Sequence, residues 1–368
     1  MLKHQIPNTP IHKTPPLFIE VSGSHREMGK QIGEAARKQI QHSVENAKSL
    51  MNTAYPTLQL SWENAKLQAR KYLPFAEETY PQYVDEMRGI AEGATLSFED
   101  ILTVNTMEEI AGDALHLTHC TSMAVNNQRT TNGHVLAAHN EDWFPEDESD
   151  VLVISAKPDK EPPFLAMTYG GLLCNVGFNA YGIAQLIDSV HPSDMRFGIS
   201  RLVVSRAVLA STRISDAIGR VLVSTRAAGY NHVLVHESGE IYAVEVSAKK
   251  FEVLYAHDGT MVHTNHYLDP QMKLIEKDPQ ELLSSRVRYF RASGLIRQTE
   301  KHSIESLQAI QKDHINAPTS ICNHNVIGEA LDREQTISAL VMDLTTQEMH
   351  MAWGNPCQNS YHTFHLNA

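Results

Sequence analysis

The sequence predicts an α+β fold built as one domain, and three observations predict it. Helical periodicity dominates roughly the first 115 residues, then gives way abruptly at Cys120 to short β-rich runs. Strands and helices after that point come in blocks, without the regular βαβ alternation of a doubly wound parallel sheet. No repeat, linker or low-complexity segment divides the chain after its Pro- and His-rich tail, and 368 residues with 42% apolar content suffice for one large core.

Taken in order, "PLFIEV" reads as a short strand leading through a Gly turn into a helix, where Ser24 and Glu27 have capping-box spacing. The helical pattern runs from Met28 to Leu50, with Gly29 and Gly33 four apart on one face, which allows close backbone approach. A second helical region spans Trp62 to Ala91, interrupted near Pro74 and Pro81, and Ser97 is the expected N-cap of a helix from Phe98. Strands follow in "TSMAV", "HVLAAH", "DVLVISAK", "PFLAMTYG" and "NVGFNAYGIAQLI". A helical segment covers Ile199 to Ala228, and strands return in "HVLVHESGEIYAVEVSAKKFEVLYA" with "ESGE" as a hairpin turn. Helices are expected from Pro279 to Arg297 and from Ile304 to Asp313, and "TISALVMDLTTQEMHMAWG" supplies two closing strands.

Composition narrows the function. A net charge of −12 disfavours a nucleic-acid or anionic-membrane partner. No stretch reaches the roughly 18 apolar residues of a membrane span. The opening "MLKHQIPNTPIHKTPPLFIEV" has no apolar core before a cleavage site, so no secretory signal is expected. Four scattered cysteines without a CxxC pair argue against a zinc ribbon or redox pair and fit a cytoplasmic protein, with Cys174, Cys322 and Cys357 as structural thiols. Among 20 histidines HExxH is absent. His263 and His266 have i,i+3 spacing, but Thr264 and Tyr267 suit strand or loop as well, so neither metal nor cofactor is expected.

The stretch "HCTSMAVNNQRTTNGHVLAAHNEDW" carries the main question. Cys120 opens an apolar run there, and it is either a small buried residue or a nucleophile that becomes a new N-terminus. If Asn132-Gly133 is a two-residue hairpin turn, Thr131 pairs with His134, Asn126 with His139 and Met123 with Asp142. Asp142 then lies near Cys120 but on the opposite face, so a bulge or a longer loop is expected.

From Phe18 to His365 the sequence resembles the acyl-coenzyme A:6-aminopenicillanic acid acyltransferases and their linear-amidase relatives, which are cysteine N-terminal-nucleophile (Ntn) hydrolases. The strings that carry the resemblance are "IEVSGSHREMGKQIGE", "YPQYVDEMRGIAEGATLSFEDILTVN", "CTS" at Cys120, "HNEDW", "GFNAYGIA", "GYNHVLVHESGEIYAVEVS", "VHTNHYLDP", "SSRVRYFRA" and "WGNPC", in the family's order. The resemblance implies a four-layer αββα sandwich of two antiparallel sheets. It also implies self-cleavage between His119 and Cys120, dividing a mainly helical segment 1–119 from a β-rich part 120–368.

An N-terminal cysteine carries its own base, because its free amine titrates at about 7.7–8.0 while thiolate is scarce at neutral pH. The resemblance gives Asp142 the task of orienting that amine. It offers the Asn231 side-chain amide and the Asn179 backbone N–H to the oxyanion, with a tight turn as the structural reading of Asn179. His139 stands where several relatives carry arginine, and either shapes the substrate pocket or ends a strand. Asn265 is a further candidate amide. Arg286 or Arg288 is a candidate for binding a substrate carboxylate, set against the ordinary helix-surface role of arginine. Glu245 is expected to pair with a buried cation. His119 departs from the glycine often found before the nucleophile, which predicts slow or assisted cleavage.

The expected activity is hydrolysis or acyl transfer on a linear amide or acyl-thioester through an S-acyl group on Cys120, with acyl-CoA as a candidate substrate and not a cofactor. Its partners are then a small molecule and its own cleaved segment, and a homo-oligomer is left open. Two alternatives are an amidase like the choloylglycine hydrolases and penicillin V acylases, which His139 and the long helical segment disfavour, and an uncleaved non-catalytic binding protein.

Overall fold

Proline and the capping residues decide where the N-terminal helices begin. The computed structural model describes residues 14–53, 60–111, 120–256, 258–280, 282–317, 320–325 and 334–366. Helix α1 (His25–Ala35) starts at the capping box of Ser24 and Glu27, and Ala36 breaks the expected long helix before α2 (Arg37–Thr53). Pro74 and Pro81 open new helices in place of merely interrupting one: α3 (Trp62–Ala69), α4 (Leu73–Thr79) and α5 (Pro81–Ala94) follow in turn. Ser97 caps α6 (Phe98–Val104), and α7 (Met107–Ala111) follows.

The two glycines of α1 meet two glycines of α5. A Cβ on Gly33 would stand 2.4 Å from the Ile90 carbonyl, and one on Gly93 2.2 Å from that of Lys30. The helices therefore touch backbone to backbone, a contact that any side chain at these positions would push apart.

Strands β1 (Leu17–Gly23), β4 (Val151–Pro158), β5 (Phe164–Tyr169), β6 (Val176–Asn179), β7 (Ile183–Ser189), β8 (Tyr230–His236), β9 (Ile241–Val246) and β10 (Phe251–Tyr255) form one sheet in the order β1-β4-β5-β6-β7-β8-β9-β10. The second sheet runs β11 (Thr260–His263), β2 (Thr121–Val125), β3 (Leu136–Trp143), β12 (Gln335–Asp343), β13 (Glu348–Trp353), β14 (Tyr361–His365). All pairings are antiparallel except β1 with β4, which are parallel. Parallel neighbours need a long crossover, and the helices between β1 and β2 supply it.

Most positions along β3, β4, β5 and β7 are buried, so both faces of each sheet are covered. The faces that meet between the sheets share one core with α1, α2 and α5, including Ala124, Ala137, Ile154 and Leu186. Helices α8 (Arg201–Val208) and α9 (Ile214–Val221) pack on β8 and β9. On the far side, α11 (Leu283–Gln298) and α12 (Ile304–Gln311) cover Met123, Val125, Leu136 and Ala138. The layers thus run α, β, β, α. A short helix, α10 (Pro270–Lys273), and strands β11 and β14 complete the described elements. No helix among the described residues is long and apolar enough to cross a membrane.

A buried ion cluster ties the outer helices to α8. Arg206 Nε donates to both carboxylate oxygens of Glu86 at 3.1 and 3.2 Å, and His25 Nδ1 lies 2.8 Å from Glu86. Burial alone depresses the His25 pKa, but hydrogen bonds to Glu161 and Glu86 outweigh it and raise it to about 9. Burial likewise opposes ionisation of Glu161, yet His25 and Arg206 hold it at about 2. The stabilisation from His25 is complete below its unfolded value of about 6.5 and is lost as pH rises through about 9. That from Glu161 is present above about 4.5 and is lost as pH falls towards 2. Resistance to urea is therefore expected to fall between pH 7 and 9. His25→Gln should flatten that decline by about 2 kcal/mol. An unchanged pH slope in the variant contradicts this assignment.

Candidate active site

The β2–β3 hairpin places Cys120 at the edge of the space between the sheets. Its register is Thr121 with Asn140, Ser122 with His139, Met123 with Ala138 and Val125 with Leu136. This corrects the expected pairing of Asn126 with His139 and Met123 with Asp142. The chain leaves the ladder after Val125, enters a 3-10 turn at Asn127–Arg129, and Arg129 is tied down by the carbonyls of Asp258, Thr299 and Glu300. The longer loop is present, but parity is unchanged: the ladder ends at Thr121 opposite Asn140, and extending its register by one residue sets Cys120 against Glu141, not Asp142. A bulge does occur, on the neighbouring strand, where β12 shifts register between Thr336 and Ser338 opposite Asp142 and Glu141. The opposite-face objection applies to side chains, since a backbone nitrogen does not alternate with the pleat.

Cys120 is 7% exposed. Its backbone N–H donates to Asn265 Oδ1 at 2.8 Å, and its carbonyl accepts from Arg288 Nη1. Arg288 also donates to Thr121 Oγ1 at 3.0 Å and to Asn265 Oδ1 at 2.9 Å. Asn265 is itself positioned by its backbone N–H, which donates to Ser285 Oγ at 2.8 Å. Three buried polar atoms around this cysteine have no partner among the described residues: Oδ2 of Asp142, Nδ2 of Asn265 and Oδ1 of Asn175. The other Asp142 oxygen accepts from Thr336 Oγ1. Burial pushes the Asp142 carboxyl well above its usual range, against the pull of Arg288 and the Thr336 hydrogen bond. Burial also pushes the Cys120 thiol well up. The carboxylates of Glu141, Asp188 and Asp142 add to that rise, and a hydrogen bond from the Asp142 backbone opposes it.

His139 lies beside the sulfur. Donor atoms of Cys120, His139 and Glu141 are all within 4.8 Å of one another. His139 Nε2 is 2.9 Å from Glu141 Oε2 and Nδ1 is 3.0 Å from Ser122 Oγ, which donates to Asp188 Oδ1 at 2.9 Å. Asn231 joins this network, with Nδ2 donating to Asp188 Oδ2 at 3.0 Å. Glu245 finds its buried cation in His263, 2.8 Å away; burial lowers the His263 pKa, but Asp188 and Glu245 raise it to about 9.

Several sequence candidates lie elsewhere or are otherwise engaged. Asn231 does not line the cleft at Cys120. The Asn179 side chain is saturated, donating to the carbonyls of Leu209 and Ser211 and accepting from the N–H groups of Tyr181 and Ile183. These contacts are those of a turn and engage the side chain, whereas the expectation concerned the Asn179 backbone N–H. Arg286 sits on the outside of α11, 47% exposed and 3.3 Å from Glu276. Arg288 faces inward, but its guanidinium is spent on the backbone of Cys120 and on Asn265. His263 ends β11, while His266 Nδ1 bonds Ser285 Oγ at 2.8 Å, so the two do not share a helical face. His119 lies outside the described residues.

The cleft at Cys120 is narrow and is lined by Asn265, Asp142, Glu141, Tyr230 and Asn175. It adjoins a second cleft, with Glu108, Trp143, Tyr169 and Tyr230 in both walls. Among the described residues, the two linings carry the carboxyl groups of Glu108, Glu109, Glu141, Asp142 and Asp147 and neither lysine nor arginine. Behind the wall Arg201 pairs with Glu108 at 3.0 Å. Burial pushes Glu109 up to about 7, with Arg201 opposing.

Residues that sequence reasoning did not single out include Asn175, Asp188, Glu108 and Thr336. Asn175 and Asp188 each interrupt an apolar run ("LLCNVGF", "AQLIDS"), a signal for a buried polar group. Glu108 and Thr336 carry no such mark.

The family model for acyl-coenzyme A:6-aminopenicillanic acid acyl-transferase matches residues 128–358. The chain is similar to the 40 kDa form of acyl-coenzyme A:6-aminopenicillanic-acid-acyltransferase of Emericella nidulans, 26% identical over 344 residues, covering 92% of this chain and 93% of that protein. It is also similar to β-alanyl-dopamine/carcinine hydrolase of Drosophila melanogaster, 27% identical over 221 residues, 54% of this chain and 55% of that protein. This match spans about half of the Drosophila protein. Among solved structures, penicillin V acylase from Agrobacterium tumefaciens aligns at 15% identity and a TM-score of 0.42, covering 64% of this chain and 83% of that one.

Proposed function

The chain belongs to the acyl-coenzyme A:6-aminopenicillanic acid acyl-transferase family, and from that premise we propose that it is a self-processing cysteine Ntn amidase. The peptide bond before Cys120 is cut, and the freed cysteine takes the acyl group of a linear amide as a thioester. The observation that supports this best is that two of the unpartnered buried groups at Cys120 are a carboxyl oxygen of Asp142 and the side-chain amide of Asn265. A buried polar atom left unsatisfied costs about 1–3 kcal/mol, so such a pair points to groups that arrive later: the ammonium made by the cut, and the oxyanion of the reaction.

The steps follow from these positions. Thiol attack on the preceding carbonyl, an N-to-S acyl shift, and hydrolysis release the Cys120 amine. That amine, titrating near about 7.7–8.0 in the absence of perturbation, takes the thiol proton. Asn265 Oδ1 and the free Asp142 oxygen accept its hydrogen bonds. The thiolate adds to the substrate carbonyl, Asn265 Nδ2 donates to the oxyanion, and the ammonium returns its proton to the departing amine. Water, or an acceptor amine, then gives its proton to the same nitrogen and attacks the thioester carbonyl, and the C–S bond breaks to release the Cys120 thiolate, which takes that proton back from the ammonium. Hydrolysis is the default outcome. Arg288, clamped on the Cys120 carbonyl, holds the first residue of the strand while its nitrogen changes charge.

The acidic lining favours a substrate with an ammonium group in its acyl or amine part over a phosphate-bearing thioester such as acyl-CoA. The Drosophila relative is named a β-alanyl-dopamine/carcinine hydrolase, and a β-alanyl group carries such an ammonium. The same lining argues against the apolar acyl pocket of the alternative amidase reading. The test is a matched pair of amides differing only in a terminal ammonium versus methyl group. kcat/KM is expected to favour the cationic member by at least about 10-fold, a difference of about 1.4 kcal/mol, and Glu108→Gln should shrink that preference mainly through KM. Equal or reversed preference contradicts the substrate class, and absence of a thioester on Cys120 in acid-quenched turnover contradicts the mechanism.

A further inference from the structure

Away from Cys120, four metal-ligating side chains converge on one point. His314 follows α12, Cys322 and His324 lie in the segment leading to β12, and Cys357 lies between β13 and β14. His324 Nε2 is 3.1 Å from His314 Nε2, 3.5 Å from Cys322 Sγ and 3.3 Å from Cys357 Sγ. All four donor atoms fall within 4.8 Å of one another. Zinc–ligand distances of about 2.0–2.1 Å to nitrogen and 2.3 Å to sulfur require tetrahedral edges of roughly 3.3–3.8 Å, and the three His324 contacts lie at or just below that range.

The surroundings suit thiolate ligands. Asn355 Nδ2 points at Cys322 Sγ at 3.7 Å while also donating to the Asn323 carbonyl at 2.6 Å, the kind of outer hydrogen bond that orients a ligand. The imidazoles of His314 and His324 face each other with ring centroids 5.2 Å apart. Cys322 is buried and the other three are partly exposed, which leaves an entry path.

The geometry points to a structural Cys2His2 zinc site formed by His314, Cys322, His324 and Cys357. Two imidazole nitrogens and two thiolates fill all four positions, which makes the site closed and not catalytic. Binding displaces the two thiol protons and changes no oxidation state. The ion joins the segment after α12, the segment before β12 and the β13–β14 turn. Asn323, between two of the ligands, donates its backbone N–H to Thr336 Oγ1 at 2.9 Å, and Thr336 in turn holds Asp142. The site thereby braces the wall behind Cys120 without touching it. Spacing hid it from the sequence, because the ligands are separated by 7, 1 and 32 residues and include no CxxC pair.

The test is metal analysis of the purified full-length protein, with or without cleavage before Cys120. About one zinc per chain is expected in the wild type and in Cys120→Ala, and none in Cys357→Ser or His324→Ala. Retention in Cys120→Ala separates this site from the Cys120, His139 and Glu141 group. Because the ligand variants risk misfolding, cobalt is also substituted into the chelator-stripped wild type, where thiolate-to-cobalt charge transfer with tetrahedral d–d bands is expected. Any of three results overturns the proposal: wild-type protein with neither zinc nor that cobalt spectrum, zinc retained in both ligand variants, or a Cys322–Cys357 disulfide in the purified protein.

Discussion

Cys120→Ala is expected to remain a single uncut chain and to lose amide turnover by about 10⁴–10⁶-fold, the cost of removing the nucleophile from a catalytic unit. The same atom performs both steps, so both fail together. In the uncut chain the thiol is held neutral, because burial and the carboxylates of Glu141, Asp188 and Asp142 all disfavour the thiolate. The liberated amine supplies a base on the nucleophile's own residue. Alanine fits the space of cysteine with little loss of packing, so the variant should melt close to the uncut wild type, which separates lost chemistry from lost fold. Substantial turnover by a folded Cys120→Ala protein removes the enzyme reading altogether.

Asn265→Asp is expected to cut itself before Cys120 yet lower kcat by at least about 10²–10³-fold, with KM changed little. The two ends of this side chain do different work. Its oxygen accepts from the Cys120 N–H at 2.8 Å and from Arg288 at 2.9 Å, and a carboxylate keeps both contacts. Its nitrogen is buried without a partner in the cleft, and aspartate replaces that donor with a charge that repels the oxyanion. Intact-mass analysis gives the extent of cutting, and initial rates give kcat and KM. A variant that cuts itself and turns over within 10-fold of the wild type shows that the oxyanion is held elsewhere.

Local chemistry was the legible part of this chain. The capping box at Ser24, the N-cap at Ser97, the Gly29 and Gly33 face, and the change of period at Cys120 all appear where short-range pattern placed them. The hairpin register did not, although Gly133 does turn with φ +77° and Asn132 Oδ1 caps the His134 N–H at 3.2 Å. The loop between the two strands is tied down through Arg129, anchored to carbonyls about 130 and 170 residues away, and no local pattern contains that information. Arg286 and Arg288 illustrate the converse. Two residues apart on α11 they point about 200° apart, and Arg288 falls on the stripe of Ser285, Ala292 and Ile296, which is the buried one. That stripe was readable, whereas the partner waiting for Arg288, the carbonyl of Cys120, was not. Asn265 and Asp142 came from family resemblance, and the groups they face needed coordinates.

The most direct test of the central claim is denaturing mass spectrometry on purified protein of measured specific activity. Active preparations are expected to contain two polypeptides, residues 1–119 and 120–368, the second beginning with a free Cys120 amine and the two copurifying under native conditions. A preparation that runs as one intact chain across that bond while hydrolysing amides at full rate contradicts the account.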